Sequence, residues 1–187
     1  MTAPTQARPV VLVSGAARRI GAVIAQTLHA AGHDLALHCR NSRDDLDQLI
    51  AKLERERPNS TLALQADLSD LTQMPALIEA TMQRFGRLDG LVNNASDFFA
   101  TAFGSVTSEQ WDRLFASNAR APFFLAQAAA PQLKKTGGAI VNLLDIYAER
   151  PLAGHSVYCM AKAAQAAMTH ALALELGPEV RVNGVAP

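Results

Sequence analysis

The chain has 187 residues, of which 49% are hydrophobic and 18% charged, with Lys+Arg and Asp+Glu equal at 17 each. That length suits a single domain with a sizeable core, and the composition excludes a disordered chain. The balanced charge and the lack of any apolar run of membrane-spanning length give no support to a nucleic-acid or membrane partner.

In chain order, residues 1–9 contain no apolar signal core. Val10–Val13 is a short β-branched run ending in "SGAARRIG", which reads as a buried strand, a glycine turn and a helix start. The helix is predicted over residues 19–31 and stops at Gly32, a carboxyl-terminal cap. "DLALHC" forms a second strand, and "DDLDQLIAKLERER" has helical spacing up to Pro58. "TLALQADL" is a third strand, and "LTQMPALIEATMQRFG" a third helix ending at Gly86. "LDGLVNNAS" is a fourth strand running into a loop. A long helix is predicted over about residues 108–135, bent near Pro122. "GAIVNLLD" is the fifth strand, residues 155–176 the fifth helix, and "VRVNGVAP" the sixth strand. The cysteines, Cys39 and Cys159, show neither metal-ligand spacing nor a disulfide framework, which fits a reducing, cytoplasmic setting.

The strands are apolar throughout rather than alternating, and each is followed by a helix. That pattern predicts one doubly wound α/β domain of Rossmann type, a parallel sheet with helices on both faces.

"GAARRIG" keeps Gly15 and Gly21 but lacks the middle glycine of the usual dinucleotide fingerprint. Its place between strand and helix is right for a pyrophosphate at a helix N-terminus, where free N–H groups and the dipole favour an anion. Arg18 and Arg19 add two cations suited to a further phosphate. The second strand ends in "LHCRNS", with no acid before Asp44 to take a ribose 2′-hydroxyl. His38, Arg40, Asn41 and Ser42 offer donors there instead, so NADPH is expected rather than NADH. Asp67 either accepts a bond from the adenine amino group or caps the following helix with Ser69 and Asp70. "NNAS", residues 93–96, ends the fourth strand at the edge where such folds bind ligands, with Asn93 tying the loop to the sheet.

Tyr158 and Lys162 stand one helical turn apart on a shared face. An ammonium beside a phenol is expected to lower the phenol's pKa and tune it as a proton donor. Asp145 lies thirteen residues before Tyr158, where it either works with the tyrosine or caps the loop after the fifth strand.

"SGAARRIG", "DLS" at residues 67–69, "NNAS", "SNARAPFFL" around Asn118, "YCMAK" and "RVNGVAP" fall in one order and spacing. On these motifs the sequence resembles the short-chain dehydrogenase/reductase family over essentially its whole length. The resemblance implies hydride transfer with nicotinamide, Tyr158 as proton donor, Lys162 as its tuner and ribose ligand, and Asn118 in the proton-relay helix. It also implies that Ile20, Leu68, Asn94 and Ala95 line the cofactor site. Within the family, "GAARRIG", "LHCRNS", "NNASDFF" and Asp145 are similar to the pteridine reductases and the bacterial dihydromonapterin/dihydrofolate reductases. The general family pattern has Ser where Asp145 stands; the pteridine reductases have Asp. That likeness implies that Phe98 stacks on a pterin opposite the nicotinamide and that Ser96 bonds the pterin or a cofactor phosphate. Arg19 would then lie near cofactor phosphates and substrate.

The carboxyl has a chemical rationale. Reducing a ketone builds negative charge on oxygen, which an ionised carboxylate opposes. Reducing a ring C=N bond needs a proton at nitrogen, which an acid sharing its proton with a tyrosine can supply, and a buried carboxyl with few cations nearby tends to hold its proton. The expected function is NADPH-dependent reduction of a pteridine or folate. An ordinary carbonyl reductase, such as an oxoacyl-thioester reductase, and a catalytically silent dinucleotide sensor are the rivals. Trp111 reads as helix packing and Cys159 as inert packing. His155 lines the pocket or sits at the helix N-terminus, and Tyr147 reaches the substrate or covers its loop. The family continues past the position of Pro187 with a substrate loop and a last strand, so a longer protein is expected. The apolar, Ala-rich helices carrying Asn118 and Tyr158 suit subunit association, and the resemblance implies a homotetramer.

Overall fold

A computed structural model describes residues 8–187. The segment without a signal core therefore lies, for residues 1–7, outside the described residues. Six strands form one parallel sheet: β1 (Val10–Val13), β2 (Asp34–Cys39), β3 (Thr61–Gln65), β4 (Gly90–Asn93), β5 (Ala139–Leu143) and β6 (Arg181–Val185). Their spatial order is β3-β2-β1-β4-β5-β6, and every pairing is parallel. The order reverses between β1 and β4. Chain leaving these neighbouring strands diverges to opposite sides and leaves a crevice at their carboxyl ends.

Burial explains why β1 and β2 are apolar at almost every position. Both are buried along their whole length, because helices cover both faces. Val11, Val13, Leu35 and Leu37 pack with Ala25, Leu46, Leu49 and Leu53 of α1 (Arg19–Ala30) and α2 (Arg43–Glu56). Leu12, Ala36, Leu91 and Ile140 face the other way, into a layer made by α3 (Met74–Phe85), α5 (Ala121–Thr136) and α6 (Ser156–Leu176). Alternate residues of one strand thus feed two cores. Among the described residues no helix is long and apolar enough to cross a membrane, and no cluster of His, Cys, Asp and Glu could hold a metal.

The long helix expected over residues 108–135 is three pieces. α4 (Ser108–Phe115) opens with a capping box in which Thr107 accepts from the Gln110 N–H and the Gln110 side chain accepts from the Thr107 N–H. It passes through a π-helical turn at Ala116–Arg120 into α5. The break runs up to Pro122, where the sequence puts the bend, and Asn118 takes part in it. The Asn118 side-chain amide donates to the Leu114 carbonyl at 2.9 Å, taking an acceptor that belongs to the backbone ladder. Pro122 follows helical backbone at Arg120 and Ala121 and has no N–H for the ladder, so it and Asn118 both interrupt the helix here.

A buried polar chain pins the helices to the sheet. Asn93 of β4 donates to Asn142 of β5 at 2.8 Å and to the Pro122 carbonyl at 3.3 Å. Asn142 donates to the Thr169 hydroxyl of α6 at 2.9 Å. The tie expected for Asn93 is therefore present, and it extends to both helices beneath the crevice. Asn142 is fully buried. Asn142→Ala strips partners from Asn93 and Thr169, and urea unfolding should record a loss of about 1–3 kcal/mol.

Candidate active site

The crevice begins at the glycine turn after β1. Gly15 has φ 62°, a left-handed backbone, and a Cβ there would stand 2.9 Å from the Cα of Ala95. The turn and the loop after β4 are bolted together. The Ser14 hydroxyl accepts from the N–H groups of Asn94 and Ala95 at 3.0 Å each, while the Asn94 side chain donates to the Ser14 and Gly15 carbonyls at 2.9 Å each. Gly21 packs directly on this knot: a Cβ there would lie 2.2 Å from the Gly15 carbonyl oxygen and 2.6 Å from the Asn94 amide nitrogen. α1 opens with no side-chain cap and no acid in its first turn, so its N-terminal N–H groups and positive dipole end face the crevice. Arg19, at the first helical position, is also left-handed at φ 50°.

The resulting cleft has a volume of about 660 Å³. Its lining includes Gly15, Arg18, Arg19, Ile20 and Gly21 from the first turn, His38 and Arg40 from the end of β2, Asp67 and Leu68 after β3, and Asn94, Ala95, Ser96 and Phe98 after β4. An uncapped helix N-terminus with three arginines is a donor set that fits a phosphorylated dinucleotide. Two of the arginines already hold carboxylates: Arg18 donates to Asp45 at 2.6 Å, and Arg40 faces Asp97 at 3.5 Å. Asp97 also accepts from Arg113 at 2.8 Å.

Two expectations at this end of the cleft change, for His38 and for Asn41 with Ser42, and one, for Asp67, stands. His38 does not offer a donor to phosphate. It is buried, its Nδ1 accepts from the Gly15 N–H at 3.3 Å, and its Nε2 meets the Ala66 carbonyl at 3.0 Å, which fixes the neutral ring with the proton on Nε2. Burial lowers its pKa, so it braces the glycine turn as a neutral strut. Asn41 and Ser42 stand beyond Arg40, outside the residues lining the cleft. Asp67 caps its own turn, accepting from the Ser69 N–H at 2.9 Å, and the bonds from Ser69 hold its carboxyl below the usual carboxylate range. It lines the cleft as well, so both readings of this residue remain open to it.

At the inner end the remaining predicted residues converge. The loop after β4 is tied to the loop before α6 by a bridge between Thr101 and His155, with the Thr101 N–H on the Gly154 carbonyl at 2.6 Å. This sets the Phe98 ring edge-on to Tyr158 at 4.8 Å and parallel to His155 at 4.7 Å. His155 therefore stands behind Phe98, outside the residues lining the cleft. The Tyr158 hydroxyl donates to Asp145 at 2.6 Å, and the other Asp145 oxygen accepts from the Tyr147 N–H at 2.9 Å. Tyr147 thus serves Asp145 through its backbone. Asn118, fully buried in the π-helical turn, accepts from the Ser96 hydroxyl at 2.6 Å and donates to the Asp97 carbonyl at 2.9 Å.

Lys162 is buried on the far side of the Tyr158 ring, its ammonium 6.0 Å from the ring centroid. It donates to the Leu143 carbonyl at 2.7 Å and to the Gln165 side chain at 3.0 Å. The expectation that Lys162 lowers the phenol's pKa is corrected by this geometry. Burial, then the hydrogen bond to Asp145 and its charge, push the Tyr158 phenol well above its ordinary value, and only a contact with the Ser96 hydroxyl works the other way. Burial brings the Lys162 ammonium down to about 8, against the opposing pull of Asp145. Ser14, Asp97 and Gln165 escaped the sequence reading. A readable trace existed for Gln165 alone: it is a lone amide in an Ala-rich helix, three residues past Lys162 and on its face.

A dinucleotide-sized cleft at the strand-order reversal, with a Tyr, a Lys and an Asn gathered at its inner end, defines an oxidoreductase that works with a nicotinamide dinucleotide. The chain belongs to the short-chain dehydrogenase family, whose model matches residues 9–187. It is 38% identical to pteridine reductase 1 of Leishmania tarentolae, an alignment covering all of this chain and 77% of that protein. It is 40% identical to bovine (Bos taurus) L-xylulose reductase, covering 94% of this chain and 69% of the relative. The 3-oxoacyl-[acyl-carrier-protein] reductase of Staphylococcus aureus is 32% identical, covering 94% and 72%.

Gly21→Ala tests the cradle. The new Cβ has only backbone and the Asn94 amide to displace, so the turn must shift, and a displacement near 1 Å at such a site weakens binding by about 10- to 100-fold. Fluorescence titration with NADH and with NADPH measures it.

Proposed function

We propose that the protein reduces a ring C=N bond of a pteridine, of the dihydrobiopterin, dihydromonapterin or dihydrofolate type, using NADPH. The observation that carries this reading is the 2.6 Å hydrogen bond between Tyr158 and Asp145. NADPH is favoured over NADH by Arg18, Arg19 and Arg40 on the cleft wall and by the absence of an acid at the end of β2. When bound, the nicotinamide supplies a hydride to the ring carbon.

The chain's own groups handle the proton. Tyr158 gives its phenolic hydrogen to the ring nitrogen beside that carbon, so C=N becomes CH–NH. If the Tyr158–Asp145 pair began with a single proton, this step would leave two anions 2.6 Å apart, and their repulsion in a half-buried site opposes it. The transfer is therefore coupled to uptake of a proton from solvent by the pair, whose protons belong to the two groups together. A ketone substrate asks for the reverse, donors alone around a developing oxyanion. Phe98 is 54% exposed, and its ring already makes a parallel stack with His155, so it offers a platform to a flat heterocycle. Asn118 and Ser96 hold each other beside the phenol, which fixes the wall against which that heterocycle rests. The chain's similarity to pteridine reductase 1 over its whole length supports the same choice.

The similarity to L-xylulose reductase and the oxoacyl reductase makes carbonyl reduction the second reading. Assays of dihydrobiopterin, dihydromonapterin and dihydrofolate beside L-xylulose and a 3-oxoacyl thioester separate the two. Pteridine-dependent NADPH oxidation is expected. Asp145→Ser should lower its kcat/KM about 10²- to 10⁴-fold while leaving or raising any ketone rate. Turnover of a ketone with none of the pteridines overturns the proposal.

A further inference from the structure

α6 contains an anomaly next to its lysine. Gln165 is only 1% exposed, on a helix whose neighbouring residues include Ala161, Ala164 and Met168. An aliphatic side chain would fill that position without a polar group to satisfy, whereas a buried amide is costly unless it is hydrogen-bonded. Its oxygen stands 3.0 Å from the ammonium of Lys162, which is itself 3% exposed. A buried ammonium has three N–H groups to place. Among the described residues, Lys162 has two acceptors, the Leu143 carbonyl at 2.7 Å and Gln165. One is main chain of β5 and does not vary with sequence; the other is a side chain. The two hold the ammonium beneath Tyr158 with its third N–H left over for a ligand.

We propose that Gln165 is the positioning residue for Lys162: its amide oxygen fixes where the ammonium stands and keeps it charged in a buried site. The inference rests on Lys162 belonging to the machinery of the proposed function, and it concerns no particular substrate. Gln165 is itself held in place through α6. The Thr169 hydroxyl donates to the Gln165 carbonyl at 2.8 Å and accepts from Asn142 of β5 at 2.9 Å. The buried polar chain that joins β4, β5 and α6 thus ends at the residue that holds the lysine. The ionisable groups around Lys162 are Asp145, from the loop after β5, and Tyr158 on its own helix. Asp145 favours the charged lysine, and burial works against it. A neutral amide acceptor adds to the first side of that balance without adding a second negative charge next to Asp145.

The lysines of the chain are Lys52, Lys134, Lys135 and Lys162, and the first three are exposed. Lysine labelled at the ε-carbon and ζ-nitrogen therefore gives an NMR titration in which Lys162 stands apart, assigned by its loss in Lys162→Met. In the protein without cofactor, Gln165→Leu should move the Lys162 midpoint down and Gln165→Glu should move it up, each by about one pH unit. The alkaline limb of kcat/KM for NADPH oxidation should move the same way in each variant. A merely structural role for Gln165 would lower the rate without moving the limb. The near-isosteric Glu variant keeps the test available if the Leu variant does not fold. A Lys162 midpoint unchanged in a folded Glu variant overturns the proposal. Because the NMR reading uses no substrate, a protein that reduces ketones and not pteridines leaves it standing or falling by itself.

Discussion

A phenol and a carboxyl group 2.6 Å apart cannot both lose their protons without a large electrostatic cost, and this constraint organises the inner end of the cleft. Asp145 accepts from Tyr158 with one oxygen and from the Tyr147 backbone with the other, so its orientation is fixed from two sides. Burial raises the phenol's pKa most and the carboxyl adds to it, so the phenol holds its proton far more tightly than a free tyrosine. A site built this way keeps a proton ready at neutral pH. Under the proposed function that proton goes to a ring nitrogen.

The sheet supplies the geometry. The reversal of strand order at β1 and β4 opens the cleft, the Ser14–Asn94 knot sets its floor, and the bridge between Thr101 and His155 folds Phe98 over Tyr158. The π-helical turn lets Asn118 aim inward. Its side chain takes over a carbonyl of the helix ladder and holds the Asp97 carbonyl and the Ser96 hydroxyl as well. A buried lysine, held between a β5 carbonyl and a glutamine, completes the group.

Much of this was legible in the sequence because the signals are local. Apolar strands between amphipathic helices dictate a two-faced parallel sheet, and all six strands lie where the apolar runs put them. The helix between β4 and β5 was harder. Pro122 marks the break, and the asparagine that competes for a carbonyl beside it gives no sign of its own in the sequence. The site was legible where chemistry follows from spacing, as with Asp145, Tyr158 and Lys162. It was illegible where partners come from distant strands. His38 reads as a phosphate donor until the Gly15 N–H and the Ala66 carbonyl are found on its two nitrogens. Proximity of Tyr158 and Lys162 along the helix suggested a lowered phenol pKa. In three dimensions the phenol is buried and bonded to a carboxyl, and both reverse the sign.

That sign can be measured directly. Tyr147 and Tyr158 are the two tyrosines of the chain, so in a Tyr147→Phe variant the near-ultraviolet absorbance of phenolate reports Tyr158 alone. The account predicts no phenolate until the pH is well above the ordinary tyrosine value of about 10, and a lower midpoint when Asp145→Asn is added. A Tyr158 that ionises below that value with Asp145 intact would contradict it.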